Sequence, residues 1–296
     1  MIFKNKNFFK FSKRYIVKTS SKTCELNRID DSIFCISLKR VEGRNALNKE
    51  MIDSLHTYIK EINLKNDVHL LLLRSTVPNI FCAGADLKER AKMPLDSIAS
   101  HVRRLRDLFH ALSKLPIPTI AAIDGTALGG GLEMCLACDI RIATAQAKMG
   151  LVEAKLGIIP GAGGTQRLPR LIGVAKAKEL IFKGSVISGA EALKLGLVNE
   201  IVDGTDHSPN SNDPENGDDR FPAFNRALQL AKQMINQCSP LSLRCAKQAI
   251  DEGYEISIQE GLNVEDKEYE KVVNSNDRIE GLKAFLEKRQ PIYKGI

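Results

Sequence analysis

Apolar positions along the chain follow two periods up to about residue 202 and one thereafter. Four short segments, "IFCISLKR" (33–40), "VHLLLLRS" (68–75), "TIAAIDG" (119–125) and "DIRIAT" (139–144), read as strands, and "VHLLLLRS" is a continuous apolar run. Runs of that length, bounded by polar residues, predict strands buried on both faces. Helical spacing separates them: Met51, Ile52, Leu55, Ile59 and Ile62 fall on one stripe behind Asn48, which is placed to cap. Ile98, Val102, Leu105, Leu108, Phe109 and Leu112 form a longer stripe that ends before "LPIP". Ser188 with Glu191 predicts a capping box ahead of a short helix ending near Gly196.

The alternation stops at "DGTDHSPNSNDPENGDD" (203–219), which holds six acids, no base and almost nothing apolar. That composition reads as a solvated loop. Beyond it every pattern is helical: Phe224, Leu228, Ala231 and Ile235, then 240–252, 256–272 and 278–289. The chain therefore divides into a tail (1–24), an α/β core (25–202), an acidic loop (203–220) and a C-terminal helical region (221–296). The last is too thin to bury a core of its own, so it must pack on the body or on a neighbouring subunit.

Charge changes the picture less than its total implies. The net charge of the 296 residues is +7, but residues 1–24 alone carry seven basic side chains and no acid. The rest is neutral, which weakens salt-sensitive phosphate binding by the fold itself, so nucleic acid is not an expected partner. An RNA-binding protein stays open as the reading outside enzymes. Phe8, Phe11 and Tyr15 at helical spacing, with Lys10, Lys13 and Arg14 between them and Thr19, Ser20 and Ser21 after them, give that tail the look of a mitochondrial transit peptide. A mitochondrial matrix location follows as an expectation. No apolar run approaches the length of a membrane span. Seven cysteines, an odd number, suit free thiols, and Cys135 and Cys138 at a spacing of three read as a packed helix face. The five histidines fall in no metal-ligand spacing.

Phosphate-loop, dinucleotide, nucleophile-elbow and zinc-protease motifs are absent from the sequence. What the chain does repeat is a cluster of small residues after an apolar strand and before a predicted helix. "FCAGADLKER" (81–90) follows the strand at 68–75, and "ALGGGLEM" (127–134) follows the strand at 119–124. Amides at a helix start lack intrahelical partners and carry positive potential. Small side chains open them to a ligand oxygen, so two such turns can together form an oxyanion hole. Taken singly, each segment also fits a tight turn or close helix packing. Glu133, a carboxylate among Leu132, Met134, Cys135 and Leu136, is costly to bury without purpose. Glu153, between Val152 and Ala154, reads by itself as a surface residue.

Together "FCAGADLKER", "ALGGGLEMCLACDIRIA" and "LVEAKLGIIPGAGGTQRLPR" resemble the three signature segments of the enoyl-CoA hydratase/isomerase (crotonase) family. The resemblance runs from about residue 30 to "AFLEKRQPIYKG". It implies an α/β fold, a crotonase-like spiral of ββα units with a C-terminal all-helical oligomerisation region, assembled as trimers or pairs of trimers. It implies oxyanion donors at the amides of Ala85 and Gly130 and catalytic carboxylates at Glu133 and Glu153. Ala83, Asp86, Leu87, Lys88 and Gly129 fall where the family lines the acyl-CoA site, and Arg44 where it meets a CoA phosphate. Phe285 and Lys288 fall where it covers the CoA of an adjacent subunit. The implied reaction is hydration of a short or branched 2-enoyl-CoA, 3-methylglutaconyl-CoA or a fatty acyl intermediate among them. It needs no metal or redox cofactor, coenzyme A being part of the substrate. An enoyl-CoA isomerase, which manages with one carboxylate, is the rival within the family. For an acid-bearing acyl chain, Lys88, Arg90 and Lys92 are the candidate cations.

Overall fold

The computed structural model describes residues 19–203 and 220–296. The greater part of the basic tail and the acidic loop lie outside the described residues. In chain order the elements are β1 (Thr19–Ser20), β2 (Cys24–Arg28), β3 (Ile33–Leu38), α1 (Lys49–Asn63), β4 (Leu70–Ser75) and β5 (Ile80–Cys82). Next come α2 (Leu87–Arg90), α3 (Leu95–Ser113), β6 (Thr119–Ile123), β7 (Thr126–Leu128), α4 (Gly130–Leu136), β8 (Ile140–Thr144) and β9 (Lys148–Gly150). A 3-10 turn (Glu153–Leu156), α5 (Gly164–Ile172), α6 (Val174–Lys183), β10 (Ile187–Ser188), α7 (Gly189–Lys194) and β11 (Glu200–Val202) complete the body. The C-terminal helices are α8 (Pro222–Gln237), α9 (Pro240–Gly253), α10 (Ile258–Val273) and α11 (Asn276–Leu286).

Two sheets result. The larger has the order β1-β2-β3-β4-β6-β8-β11, and the smaller the order β10-β9-β7-β5. The pairs β4–β5, β6–β7 and β8–β9 each place their first strand in the large sheet and their second in the small one, then pass to a helix. This is the expected spiral of ββα units. Its consequence for the site is register. In the small sheet Cys82 lies opposite Ala127, and Ala127 opposite Met149, with all three strands parallel. The segments that follow these strands therefore leave the sheet side by side, at its carboxyl end.

The large sheet is covered on both faces, which accounts for runs instead of alternation. Phe34, Ile36, Leu71, Leu73, Ala121 and Ile123 join the main core with α1 and α3. Ile33, Cys35, Leu70, Leu72, Ile120 and Ala122 face the other way, against Phe221, Phe224 and the small stripe Ala223, Ala227 and Ala231 of α8. The first C-terminal helix thus packs on the body. Asp124, in the turn between β6 and β7, accepts the α8 amides of Ala223 and Phe224 at 2.7 and 3.2 Å. Helices α9 to α11 instead present Ile250, Tyr254, Ile258, Leu262, Phe285 and Leu286 to solvent within one chain. The C-terminal segment returns to Asp277, a buried carboxylate that accepts the amides of Lys294 and Gly295 and the Ser239 hydroxyl.

Two expectations need adjustment. Residues 19–24, assigned above to the tail, belong to the sheet: Thr19 pairs with Leu26, and Cys24 is fully buried. The small sheet was not foreseen, because strands of two or three residues hold too few positions to show a period.

Asp124 holds the junction of body and α8 through two of the helix's unpaired amides, the work of an N-cap. Asp124→Ala should cost about 1 kcal/mol or somewhat more. Thermal unfolding followed by circular dichroism should then show a midpoint lowered by about 2–4 °C; an unchanged midpoint would remove the cap from the account of how α8 docks.

Candidate active site

The first signature segment is held from outside the small sheet. Leu47 pairs with Ala85 in an isolated parallel bridge: the Leu47 amide donates to the Gly84 carbonyl (2.7 Å), and the Asp86 amide donates to the Leu47 carbonyl (3.2 Å). Behind it Asn45, fully buried and at φ +54°, donates its side-chain amide to Ser75 Oγ (2.8 Å) and the Phe81 carbonyl (2.9 Å). Both bonds fix residues 44–47 against the strand that leads into the site.

The glycines of the second segment have separate reasons. Gly129 sits at φ +50° and ψ −125°, a conformation closed to residues with a side chain. Gly131 lets α4 rest on the end of β5, since a Cβ there would come within 2.4 Å of the Cys82 carbonyl oxygen. That contact brings the two loops together. A Cβ on Gly130 would lie 3.9 Å from the Ala85 nitrogen, and one on Gly84 would lie 3.5 Å from the Gly130 nitrogen. Among the described residues neither the Ala85 nor the Gly130 amide donates to another backbone group.

Glu133 follows in the first turn of α4 and is 2% exposed. Its Oε1 accepts the amides of Ala162 and Gly164, both at 2.8 Å, from the turn ahead of α5. Arg167 lies under that turn, donating to the Ala162 carbonyl (3.3 Å). Glu153 opens the 3-10 turn after β9 and is 8% exposed, so the surface reading is overturned. A Cβ on Gly129 would stand 3.1 Å from its Oε1, while its Oε2 is buried without a hydrogen-bond partner among the described residues. Burial raises the pKa of Glu133, against the pull of the two amides and of Arg167. Burial, and then the neighbouring Glu133 charge, lift Glu153 from its ordinary 4.5 to about 7.

Both carboxylates face a cavity of about 140 Å³ that Ala83, Ala85, Leu87, Gly129 and Gly130 also line. Seven of the expected site residues are thereby brought together. Five are not. Asp86 turns away to cap α2 and pair with Arg40 (2.7 Å), which makes its role structural. Lys88 is exposed and outside the cavity lining. Arg44 is exposed at φ +50°, and it is its carbonyl that serves the site, by accepting the Ala83 amide (3.1 Å). Phe285, 81% exposed, and Lys288 lie at the end of α11, on the surface of the single chain. Cys135 and Cys138 are buried, and burial drives both thiols up, Cys138 to about 12, so neither is a nucleophile at neutral pH. A larger hollow of about 620 Å³ beside α9 contains neither carboxylate.

Sequence reasoning missed the amides of Ala162 and Gly164 that clamp Glu133, although "GAGG" (161–164) repeats the small-residue signal read at 129–131. It also left three cations unranked, of which Arg90 alone lines the cavity. Among the described residues no group of three or more His, Cys, Asp or Glu is placed to hold a metal ion, and no helix is long and apolar enough to cross a membrane.

The chain is similar to known proteins over most of its length. The chain is 46% identical to mouse mitochondrial methylglutaconyl-CoA hydratase over 263 residues, 89% of this chain and 80% of that protein. It is also 46% identical to mouse enoyl-CoA hydratase domain-containing protein 2, mitochondrial, covering 88% of this chain and 83% of the relative. The crystal structure of an enoyl-CoA hydratase from Bacillus anthracis superposes with a TM-score of 0.85 at 40% identity, over 93% of this chain and all of the other. The sequence profile described as enoyl-CoA hydratase/isomerase matches residues 28–208 and 222–295. With the spiral of ββα units and the paired buried glutamates already in place, this match makes the chain a member of the enoyl-CoA hydratase/isomerase family.

Proposed function

We propose that the protein hydrates 2-enoyl-CoA thioesters, with 3-methylglutaconyl-CoA as its substrate. The observation that carries the reading is the meeting of two unpaired main-chain amides with two buried carboxylates in one cavity. The thioester oxygen lies between the amides of Ala85 and Gly130, where the charge of the developing enolate is met by donors already in position. Glu133, its Oε1 fixed by two amides, takes a proton from water as the oxygen adds to C3. Glu153, protonated up to about pH 7, gives its proton to C2. Proton exchange with water restores the pair, and no metal or redox cofactor takes part.

The substrate assignment draws on the methylglutaconyl-CoA hydratases among the relatives, which also support a mitochondrial location, with the matrix as the compartment. The apolar residues exposed on α9 to α11 support a homo-oligomer built from trimers, in which Phe285 and Lys288 reach a neighbour's CoA. An isomerase moves one proton and needs one carboxylate, so the burial of both glutamates favours hydration.

Glu133→Gln and Glu153→Gln should each lower kcat on crotonyl-CoA by about 10²–10⁴-fold with little change in KM. A severe loss at one position alone would favour the isomerase. Because Glu153 must be protonated and Glu133 ionised, kcat should fall as pH rises through about 7 and fall again on the acid side.

The same raised pKa makes stability depend on pH. A carboxyl whose pKa is higher folded than unfolded binds more protons in the folded state, so stability is lost as pH climbs from about 4.5 to about 7. Glu153→Gln cannot ionise, so its melting temperature should exceed the wild type by a few degrees at pH 8. The gap should close towards pH 4.5; a gap that is constant with pH would mean that Glu153 is not held protonated by the fold.

A further inference from the structure

Arg90 stands at the end of α2, the four-residue helix that follows the Ala85 turn. The helix is short but fixed: the Asp86 carboxylate caps it, Arg40 pairs with that carboxylate, and the Arg90 amide donates to the Asp86 carbonyl (2.9 Å). Its side chain lines the catalytic cavity in company with Leu87, Val102, Leu105, Val152, Leu156 and Ile159. No other cationic side chain lines that cavity among the described residues. Arg90 makes no side-chain hydrogen bond or ion pair there either. Glu89, its acidic neighbour, is turned away and accepts the Lys49 amide (3.0 Å). Lys88 and Lys92 are exposed and outside the cavity. A half-buried guanidinium that has no hydrogen-bonded side-chain partner among the described residues keeps its planar fork of donors open to an anion in the cavity.

The proposed pose says which anion fits. With the thioester oxygen at Ala85 and Gly130 and the double bond at Glu133 and Glu153, the rest of the acyl chain runs on into the cavity. At about 140 Å³ this space suits a body of roughly benzene size, hence a short acyl chain. Arg90 lies close enough to Glu153 for its charge to oppose the rise in that carboxyl's pKa, so it borders the place where the chain passes the double bond. We infer that Arg90 determines specificity by pairing with an acyl chain that ends in a carboxylate two carbons beyond the double bond. The inference rests on the hydratase reading above. A planar guanidinium takes a carboxylate through two parallel hydrogen bonds, whereas an uncharged chain of the same length gains nothing from it.

The test is a comparison of Arg90→Met, Arg90→Lys and wild type on 3-methylglutaconyl-CoA and crotonyl-CoA from pH 6 to pH 8. Arg90→Met should lose about 10–100-fold in kcat/KM on the diacid thioester, chiefly through KM. On crotonyl-CoA the loss should be far smaller, so that the ratio of the two activities falls about tenfold or more, and an unchanged circular dichroism spectrum shows that the fold is intact. Arg90→Lys, which keeps the charge but not the fork, should recover part of the diacid activity. A pH profile shifted upward on both thioesters is expected from the loss of the charge beside Glu153. Equal losses on both, each read at its own pH optimum, would instead overturn the inference and leave Arg90 as a group that only tunes Glu153. A wild type that hydrates crotonyl-CoA but not the diacid would overturn both the inference and the choice of substrate. A wild type inactive on both would overturn the hydratase reading itself.

Discussion

The contact on which the site depends is the approach of α4 to the end of β5. Gly131 carries no side chain, and the Cys82 carbonyl occupies the space that one would fill. Close-packed interiors transmit such contacts with little give. The missing Cβ is what lets the first turn of α4 come up against the end of β5, beside the loop that holds Ala85. Register does the rest: Cys82, Ala127 and Met149 lie level in three parallel strands, so the loops that follow emerge together. Two separate stretches of sequence thus deliver an amide each to one place, and a third delivers Glu153. The large sheet, covered by α1 and α3 on one face and by α8 on the other, keeps the strands from shifting against one another.

The same geometry explains why two carboxylates tolerate burial. Glu133 is supported by a pair of amides from 162 and 164, and Arg167 holds the turn that supplies them. Glu153 has much less: one of its oxygens is buried without a partner. An unsatisfied buried oxygen costs stability, of the order of 1–3 kcal/mol, and the fold offsets that cost elsewhere. The asymmetry separates the two groups chemically. The better supported carboxylate is the one suited to stay charged and accept a proton, and the poorly supported one is suited to hold a proton and give it up. Their different surroundings, rather than their shared residue type, set the two carboxyls apart.

How much of this was legible in the sequence follows from the length of each signal. The buried strands, the stripes of α1 and α3, the Asn48 cap and the Ser188–Glu191 capping box rest on several residues each, and all are present. The small sheet was invisible because its strands are two or three residues long, yet it is the element that sets the loops side by side. Ala83, Ala85, Gly129, Gly130 and Glu133 lie in segments that small residues and one misplaced charge mark locally, whereas Glu153 was reached only through the family resemblance. The Asp86 contact was not legible locally, since its partner Arg40 is 46 positions away and meets it only in the folded chain. Arg44 shows the same limit, because its main chain is what the site uses.

Arg40 and Asn45 show how a residue outside every signature segment can still govern the site. Arg40 donates to the Ala46 carbonyl (2.8 Å) and pairs with Asp86, so it links the 44–47 strap to the start of α2. Asn45 joins the same strap to Ser75 and Phe81, one at the end of β4 and the other within β5. The position of the Ala85 amide is therefore determined from both sides, by the strand before it and by a loop some 40 residues earlier in the chain. A main-chain amide has no side chain of its own to aim it. Its direction is set wholly by such straps, which is why buried polar residues gather behind the loop and leave the cavity wall mostly aliphatic.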